Sequence, residues 1–248
     1  MMLLNAIRAE NLKSRHSNMW VAVAVLPLLT AAIGAIIYGI NASVSLYDGD
    51  MWQQLWLQTG LFYGYFFFPI LIAICASFLW RLEHINYNWN SLMTTPVPRS
   101  TIFIAKLVVL AKSIFTAQAL LMIFIIIVGK VRFRFEQPIP VGMLWWLFMG
   151  WFSALGVAAV QLYLSMKIRS FAVPVGLAVC LCIAGLACYI TGLGSMFPYS
   201  QLILGLSSQE KTLPIDSLTT LVPMVVFYIV FFILLASRRL KKIDIVAG

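Results

Sequence analysis

Charge is scarce in this 248-residue sequence. Only 10% of the residues are charged, whereas 62% are hydrophobic, and the mean hydropathy is +0.96. A soluble globular protein could not cover its surface with so few polar groups. The composition therefore excludes a soluble protein and predicts a chain that is embedded in a membrane.

Catalytic and nucleotide-binding motifs are also missing. The sequence contains no Walker A motif, no H-E-x-x-H and no G-x-S-x-G. Its two histidines, His16 and His84, lie far apart, and no acidic residue lies midway along an apolar run. We therefore expect no catalytic residues, no metal ligands and no cofactor site in this chain. The same absences argue against an intramembrane hydrolase and against a proton- or sodium-driven carrier.

Six apolar runs are long enough to cross the ~30 Å hydrocarbon core of a bilayer. They cover residues 19–40, 57–80, 102–128, 143–164, 171–191 and 218–236. The sequence thus predicts an all-α integral membrane protein with six transmembrane helices in one transmembrane domain, residues 1–248. Residues 192–217 are too apolar for a simple loop and too interrupted to cross the membrane, so we expect re-entrant outer helices there.

The basic residues predict the orientation of the chain. No lysine or arginine occurs between Arg15 and Arg81, so the first loop carries none. With both termini in the cytoplasm, all 17 basic residues lie inside except Lys130, Arg132, Arg134 and Lys211, in keeping with the positive-inside rule. The net charge of +9 thus reports the topology, and we expect no binding of nucleic acid.

A few polar and aromatic residues lie in or beside the runs. Lys106 and Lys112 are near the cytoplasmic end of the third run, and we expect Lys106 to extend to the headgroups. Gln118 and Gln161, nearer mid-membrane, are interpreted as hydrogen bonds between helices or as part of a substrate face. Trp52 and Trp56, in the predicted loop 41–56, are interpreted as an outer interfacial belt or as part of a peptide-binding translocation face.

Two polar segments precede the first and third runs. Residues 1–18 are interpreted either as an amphipathic helix along the inner membrane face or as a solvated start of the first span. Residues 81–99 form a polar insert whose sequence predicts a short amphipathic cytoplasmic helix that ends at Pro96. Ile85, Trp89 and Leu92 share one face of that helix. Trp89 is then either an anchor for a partner protein or an inner interfacial residue.

Both polar segments resemble parts of one protein family. The leader from Asn5 to Lys13, followed by the first span, is similar to the leader of membrane subunits of type-2 ABC exporters. The second segment resembles the coupling-helix region of their lantibiotic-immunity group, through the pattern Glu83-x5-Trp89-x2-Leu92-x3-Pro96-x2-Arg99 with Lys106 seven residues later.

The resemblance implies the permease subunit of an ATP-driven ABC exporter in the bacterial plasma membrane. Residues 84–95 would be the coupling helix, docked on a separate ATP-binding subunit that is present in two copies and binds ATP and Mg. The resemblance implies a coupling interface of Glu83, Ile85, Trp89, Leu92, Pro96 and Arg99, and a connecting helix in residues 1–18 that includes Glu10 and Lys13. A second related permease, or a second copy of this chain, would complete the pore.

The resemblance also implies a cargo, namely a lantibiotic or similar antimicrobial peptide whose export from the membrane protects the cell. Two alternatives remain open at this stage. One is an ABC exporter of another lipophilic cargo, such as a drug, a lipid or a polysaccharide. The other is a stand-alone membrane immunity protein without an ATPase, for which the loop with Trp52 and Trp56 would matter and Trp89 would not.

Overall fold

The computed structural model describes residues 2–43, 50–85, 97–206 and 215–242, with side chains at all of these except 42–43, 215–218 and 241–242. These ranges contain nine α-helices and no strand. The helices are α1 (Met2–Arg15), α2 (Met19–Ser43), α3 (Met51–Phe62), α4 (Phe68–His84), α5 (Arg99–Ile127), α6 (Gly142–Lys167), α7 (Ala172–Ile190), α8 (Pro198–Leu206) and α9 (Ile215–Lys242). Two π-helical turns, Tyr63–Phe67 and Val128–Arg132, join α3 to α4 and extend α5.

Six stretches of helix are long and apolar enough to cross a membrane. They are Met19–Asn41, Met51–His84, Arg99–Arg132, Gly142–Lys167, Ala172–Ile190 and Thr219–Leu240. The predicted all-α membrane architecture with six spans is therefore confirmed. Because the number of spans is even, the beginning of the first span and the end of the last span lie at the same end of the bundle.

The second span begins earlier than the sequence indicated. Residues 51–56 were predicted to be loop, but they form the first turns of α3, and the Asp50 side chain caps this helix by accepting a hydrogen bond from the Trp52 backbone N at 2.9 Å. Farther along, Pro69 lacks the N–H that an α-helix needs at that position. The helix widens into the π turn Tyr63–Phe67 immediately before it, which accommodates the proline without breaking the span.

The bundle has a buried central helix, α6, and an exposed apolar outer surface. In α6, 61% of the most apolar stretch is buried, because α4, α5, α8 and α9 all pack around it. In the last span the corresponding figure is only 17%, and its outer side exposes Val226, Phe227 and Val230. An exposed apolar surface of this kind is stable only against lipid tails or another membrane protein.

The short helix α8 lies inside the bundle. At ~1.5 Å per residue its nine residues extend ~13 Å, which is too short to cross the membrane. All nine residues are buried, packed mainly against α6 and α7 and also against α3 and α9. Residues 198–206 therefore lie within the bundle without crossing it, and residues 207–214 of the predicted re-entrant segment lie outside the described residues.

The interpretation of Trp52 and Trp56 as an interfacial belt is wrong. Both indole rings are buried inside the protein, because α3 packs inward instead of lying in a loop. Trp52 Nε1 donates to the Gln137 backbone oxygen at 3.2 Å, and Trp56 Nε1 donates to the Leu206 backbone oxygen at 2.9 Å. These tryptophans join α3 to the loop after α5 and to α8.

Candidate coupling site

Four charged side chains meet at one end of the bundle, which is the end that the basic residues assign to the cytoplasm. We name Glu10, Lys13, Glu83 and Lys106 the ion cluster. Glu10 and Lys13 come from α1, Glu83 from the last turn of α4, and Lys106 from the second turn of α5. The cluster therefore connects the amphipathic leader to the two helices that flank residues 86–96.

Lys106 lies at the centre of the ion cluster. Its Nζ is 2.7 Å from Glu10 Oε2 and 2.8 Å from Glu83 Oε1, and it also donates to the Leu79 backbone oxygen at 2.6 Å. The same ammonium group lies 4.8 Å from the centroid of the Trp80 ring, a distance suited to a cation–π contact. The lysine thus has three oxygen acceptors and one aromatic face around it.

Lys13 closes the ion cluster on its outer side. Its Nζ is 2.8 Å from Glu10 Oε1 and 3.0 Å from Glu83 Oε1. The cluster contains two positive and two negative groups, so its formal charge is zero. Burial lowers the pKa of Lys13, but the hydrogen bond to Glu10 and the nearby charge of Glu83 outweigh this effect and raise the pKa above 10.5. Lys13 is therefore charged at neutral pH.

The expectation that Lys106 extends to the lipid headgroups is wrong, since its side chain is 0% exposed. A buried ammonium group is costly unless opposite charges and hydrogen bonds surround it, and the two glutamates supply both. The long α5 explains how this is possible in a membrane protein. The span Arg99–Arg132 has 34 residues and is about 51 Å long at 1.5 Å per residue, so ~20 Å of it extends beyond the hydrocarbon core.

The helix ends on either side of residues 86–96 are also attached to the rest of the bundle. At the end of α4, His84 Nε2 lies 2.8 Å from the Ser165 backbone oxygen of α6. At the start of α5, Arg99 Nη1 donates to the Leu240 backbone oxygen of α9 at 2.6 Å. A displacement of residues 86–96 would therefore act on α1, α4, α5, α6 and α9 together.

A second polar region lies deeper in the bundle, where α5, α6 and α8 meet. We name Gln118, Gln161 and Gln201 the polar seam. All three are 0% exposed. Gln161 Nε2 donates to Tyr199 Oη at 2.6 Å and Gln201 Nε2 donates to the Ser195 backbone oxygen at 2.9 Å. Neither amide atom of Gln118 has a hydrogen-bond partner, and the Oε1 atoms of Gln161 and Gln201 have none either, within the ranges described.

The fold does not bring the four residues of the predicted translocation face to a surface. Trp52, Trp56, Gln118 and Gln161 are all buried within one chain. Gln161 makes a hydrogen bond between helices, which is one of its two predicted roles. Gln118 makes none, although its amide nitrogen lies only 2.6 Å from the place where a side chain at Gly150 of α6 would begin.

The family follows from comparison with known proteins. The sequence matches the family model described as "ABC-2 family transporter protein" over residues 6–185, which is more than half of the chain. The chain belongs to the ABC-2 family of transporters. A comparison with curated individual proteins found no match.

Membership of the ABC-2 family defines the general role of the chain. It is a membrane permease of an ABC exporter, and this family provides the transmembrane component and not the ATPase. The family also implies an ABC ATP-binding partner. The matched region includes the ion cluster and residues 86–96, together with the first four spans and most of the fifth.

The predicted coupling interface of this ABC-2 permease is described only at its two ends. Glu83 is buried in the ion cluster, Ile85 is 42% exposed just after α4, and Arg99 begins α5. Trp89, Leu92 and Pro96 lie outside the described residues. Glu83 is therefore buried inside the permease, and the coupling role of these six residues stays a prediction.

The central role of Lys106 was not recognised from the sequence, although the signal for it was present. The sequence has a lysine in an apolar run, a glutamate at the end of the preceding span and another glutamate in the leader. A charge in an apolar run needs an opposite charge beside it, and these glutamates can supply one. The motif includes both Glu83 and Lys106, but hydropathy alone directs the charge of this lysine to the membrane surface. The leader and the ends of α4 and α5 form one unit only when the three elements are considered together.

Proposed function

We propose that this ABC-2 permease expels a lantibiotic or similar cationic antimicrobial peptide from the bacterial plasma membrane, and that the ion cluster transmits the motion of its ATPase partner. The observation that carries the second part is the position of Lys106. It attaches α1, α4 and α5 to one another next to residues 84–95, the predicted coupling helix.

The transmission works through rigid attachment. If the ATP-binding subunit displaces residues 84–95, α4 and α5 must move with them, because both are continuous with this segment. Since α1 is joined to the same cluster by Glu10 and Lys13, it moves as part of the same unit. Rigid-body motion of such a unit is a recognised way to switch a transporter between two conformations.

The proposed assembly contains more than this chain. Two copies of the ATP-binding subunit would bind ATP and Mg and dock on the coupling helices, with Trp89 and Leu92 as apolar anchors. A second related permease, or a second copy of this chain, would complete the pore. The exposed apolar sides of α2, α7 and α9 offer surface for that contact, because less than a third of each is buried within the chain.

The cargo is proposed from the resemblance of Glu83, Trp89, Leu92 and Arg99 to the lantibiotic-immunity group. An antimicrobial peptide of this class partitions into lipid, so a permease with largely apolar outer surfaces could receive it directly from the membrane. The proposed site of action is the bacterial plasma membrane, and the charge pattern supports an orientation with both termini of the permease in the cytoplasm.

The test combines purification with a resistance assay. The tagged permease is purified in mild detergent from its host, and the co-purified proteins are identified by mass spectrometry. Trp89→Ala with Leu92→Ala is compared with a matched control, Leu144→Ala with Trp145→Ala, whose side chains are exposed at the opposite end of the bundle. We expect the first pair to lose the ATP-binding subunit and peptide resistance, and the control pair to keep both.

Other outcomes would favour the alternatives. If wild-type protein is recovered alone while a known ABC complex survives the same detergent, the stand-alone immunity protein is favoured. If the ATPase is recovered but deletion of the permease leaves lantibiotic sensitivity unchanged, the cargo is another lipophilic molecule. If the Trp89 and Leu92 variant keeps both its partner and full resistance, coupling through this segment is wrong.

A further inference from the structure

A cavity of about 600 Å³ lies between α1, the start of α2 and the middle of α5. It is on the other side of α1 from the ion cluster. Its lining is formed by Arg8, Asn11, Leu12, Ser14, Arg15, Trp20 and Lys112. We name it the cationic cavity, because three of these seven residues are basic and none is acidic.

The three basic residues are concentrated by the fold. Arg8 and Arg15 are seven residues apart on α1, so they lie on the same face of the helix. Lys112 reaches the same place from α5, where its Nζ donates to Asn11 Oδ1 at 3.2 Å. All three side chains are exposed, and no carboxylate lies within ion-pair distance of any of them in the described ranges.

This arrangement differs from that on the opposite face of α1. There, Glu10 and Glu83 together neutralise Lys13 and Lys106, so that the ion cluster has no formal charge. The cationic cavity instead carries three positive charges that the described protein does not balance. Such a concentration of charge favours an anionic ligand, and a basic pocket between helices at the cytoplasmic side is a typical site for acidic lipid headgroups.

Apolar side chains beside the three basic residues favour a lipid over a small soluble anion as the ligand of the cationic cavity. Leu12 is 68% exposed in the lining itself, and Leu4, 62% exposed, lies two turns before it on the same face as Arg8. Trp20 is half-buried at the start of α2, with its Nε1 donating to the Ser14 backbone oxygen at 2.9 Å. A tryptophan at the end of a span and exposed leucines next to arginines are suited to the boundary between headgroups and acyl chains.

We propose that the cationic cavity binds the phosphate headgroup of an anionic phospholipid from the leaflet at this end of the bundle. Arg8, Arg15 and Lys112 contact the phosphate oxygens, while Leu12 and Trp20 contact the glycerol and the first part of an acyl chain. The bound lipid connects α1 to α5 on the face that the ion cluster leaves open. A free phosphate ion shares the same headgroup chemistry, and the experiment separates the two sources.

The experiment measures lipid retention by native mass spectrometry on the full-length permease in a neutral detergent. Phosphatidylglycerol and phosphatidylcholine with identical acyl chains are added in equal amounts. The variant Arg8→Gln, Arg15→Gln, Lys112→Gln is compared with Lys167→Gln, Arg169→Gln, Arg238→Gln. The control removes the same charge at the same end of the bundle from exposed residues that do not line the cavity. Inorganic phosphate and glycerol phosphate are added as soluble competitors.

We expect wild type and the control to retain phosphatidylglycerol in preference to phosphatidylcholine. The cavity variant should lose this preference by a factor on the order of 10 to 100, since each basic residue contributes modestly to the binding of an acidic headgroup. Equal loss in the control variant would overturn the proposal. Displacement of the lipid by glycerol phosphate or inorganic phosphate at similar concentration would show a small-anion site and overturn it as well.

The wild-type protein alone also tests the proposal, in case the triple variant does not fold. If wild type retains phosphatidylcholine as well as phosphatidylglycerol, the cavity does not select an anionic headgroup. A specific lipid should also raise the thermal stability of wild type in a concentration-dependent way, because it binds the folded state only. The same lipid should raise the unfolding temperature of the single variant Lys112→Gln by less than it raises that of wild type.

Discussion

Two polar regions are buried in this permease, and they differ in how completely their groups are paired. In the ion cluster, every charged side chain has an opposite charge within 3.0 Å, and the four side chains come from three different helices. In the polar seam, all three side chains are fully buried, yet Gln118 makes no hydrogen bond within the described chain and the other two glutamines each keep one unpaired oxygen.

This difference in pairing determines which helices are held together and which can shift relative to one another. A buried ion pair that loses one partner leaves an uncompensated charge, so the ion cluster strongly resists separation of its helices. A buried amide without a fixed partner loses little when neighbouring helices shift, and it can gain a new hydrogen bond in another arrangement. The cluster is thus suited to moving as a unit, while the seam is suited to repacking of α5, α6 and α8.

The largest effect is expected for Lys106→Met. This change leaves Glu10 and Glu83 buried with only Lys13 as a partner, and breaking a buried ion pair costs on the order of 3–5 kcal/mol. The measurement is thermal unfolding in detergent, with Lys167→Met, at an exposed position at the end of α6, as the control. If adding Glu10→Gln and Glu83→Gln to the Lys106 variant restores no stability, the loss does not come from unpaired charge.

A smaller effect is expected at Gly205, where α8 packs closely against α6. A methyl group at Gly205 would lie 2.6 Å from Ser153 Cβ and 2.8 Å from the Met149 backbone oxygen. Gly205→Ala should therefore lower stability by about 1–3 kcal/mol through overpacking. At Gly176 of α7 an added methyl group meets nothing within 4 Å, so Gly176→Ala should have little effect. Equal unfolding temperatures for both variants would show that the contact between α6 and α8 tolerates an added methyl group at Gly205.

Two glutamines of the seam are expected to respond differently to the same substitution. Gln161→Met removes a 2.6 Å hydrogen bond and leaves the hydroxyl of Tyr199 unpaired, which should cost about 1–3 kcal/mol. Gln118→Met removes two amide atoms that have no partner in the described chain, so stability should be unchanged or slightly higher. We expect Gln118→Met to reduce export of the proposed peptide cargo nevertheless, if the amide of Gln118 finds a partner in a second conformation. Unaltered export would remove Gln118 from the transport cycle.

The sequence was sufficient to predict the six spans, because apolar runs of membrane length admit few other structures. It did not predict the contacts between distant segments. Glu10 and Lys106 are 96 residues apart, and neither hydropathy nor helical spacing relates them. Trp52 and Trp56 were assigned to a membrane interface from their position near an apolar run. Their burial depends on α3 beginning at Met51 and on α8 folding back against it.

The smallest effect on stability is expected for Lys13, at the edge of the ion cluster. It tests whether the stability of the cluster depends mainly on Lys106 at its centre. The Lys13 side chain is 39% exposed, so water screens its interactions, and Lys106 still neutralises both glutamates when Lys13 is absent. Lys13→Met should therefore lower stability by less than about 1 kcal/mol.

The same variant has a predicted pH dependence. Because folding raises the pKa of Lys13 above 10.5, the stabilisation that Lys13 provides is complete below that pH and is lost only as the pH rises through the higher folded-state pKa. The difference between wild type and variant should thus be constant from about pH 6 to pH 9, measured by thermal unfolding. A cost equal to that of Lys106→Met would show that the cluster fails when any of its charges is removed, and the contrast between a fixed centre and a replaceable edge would not hold.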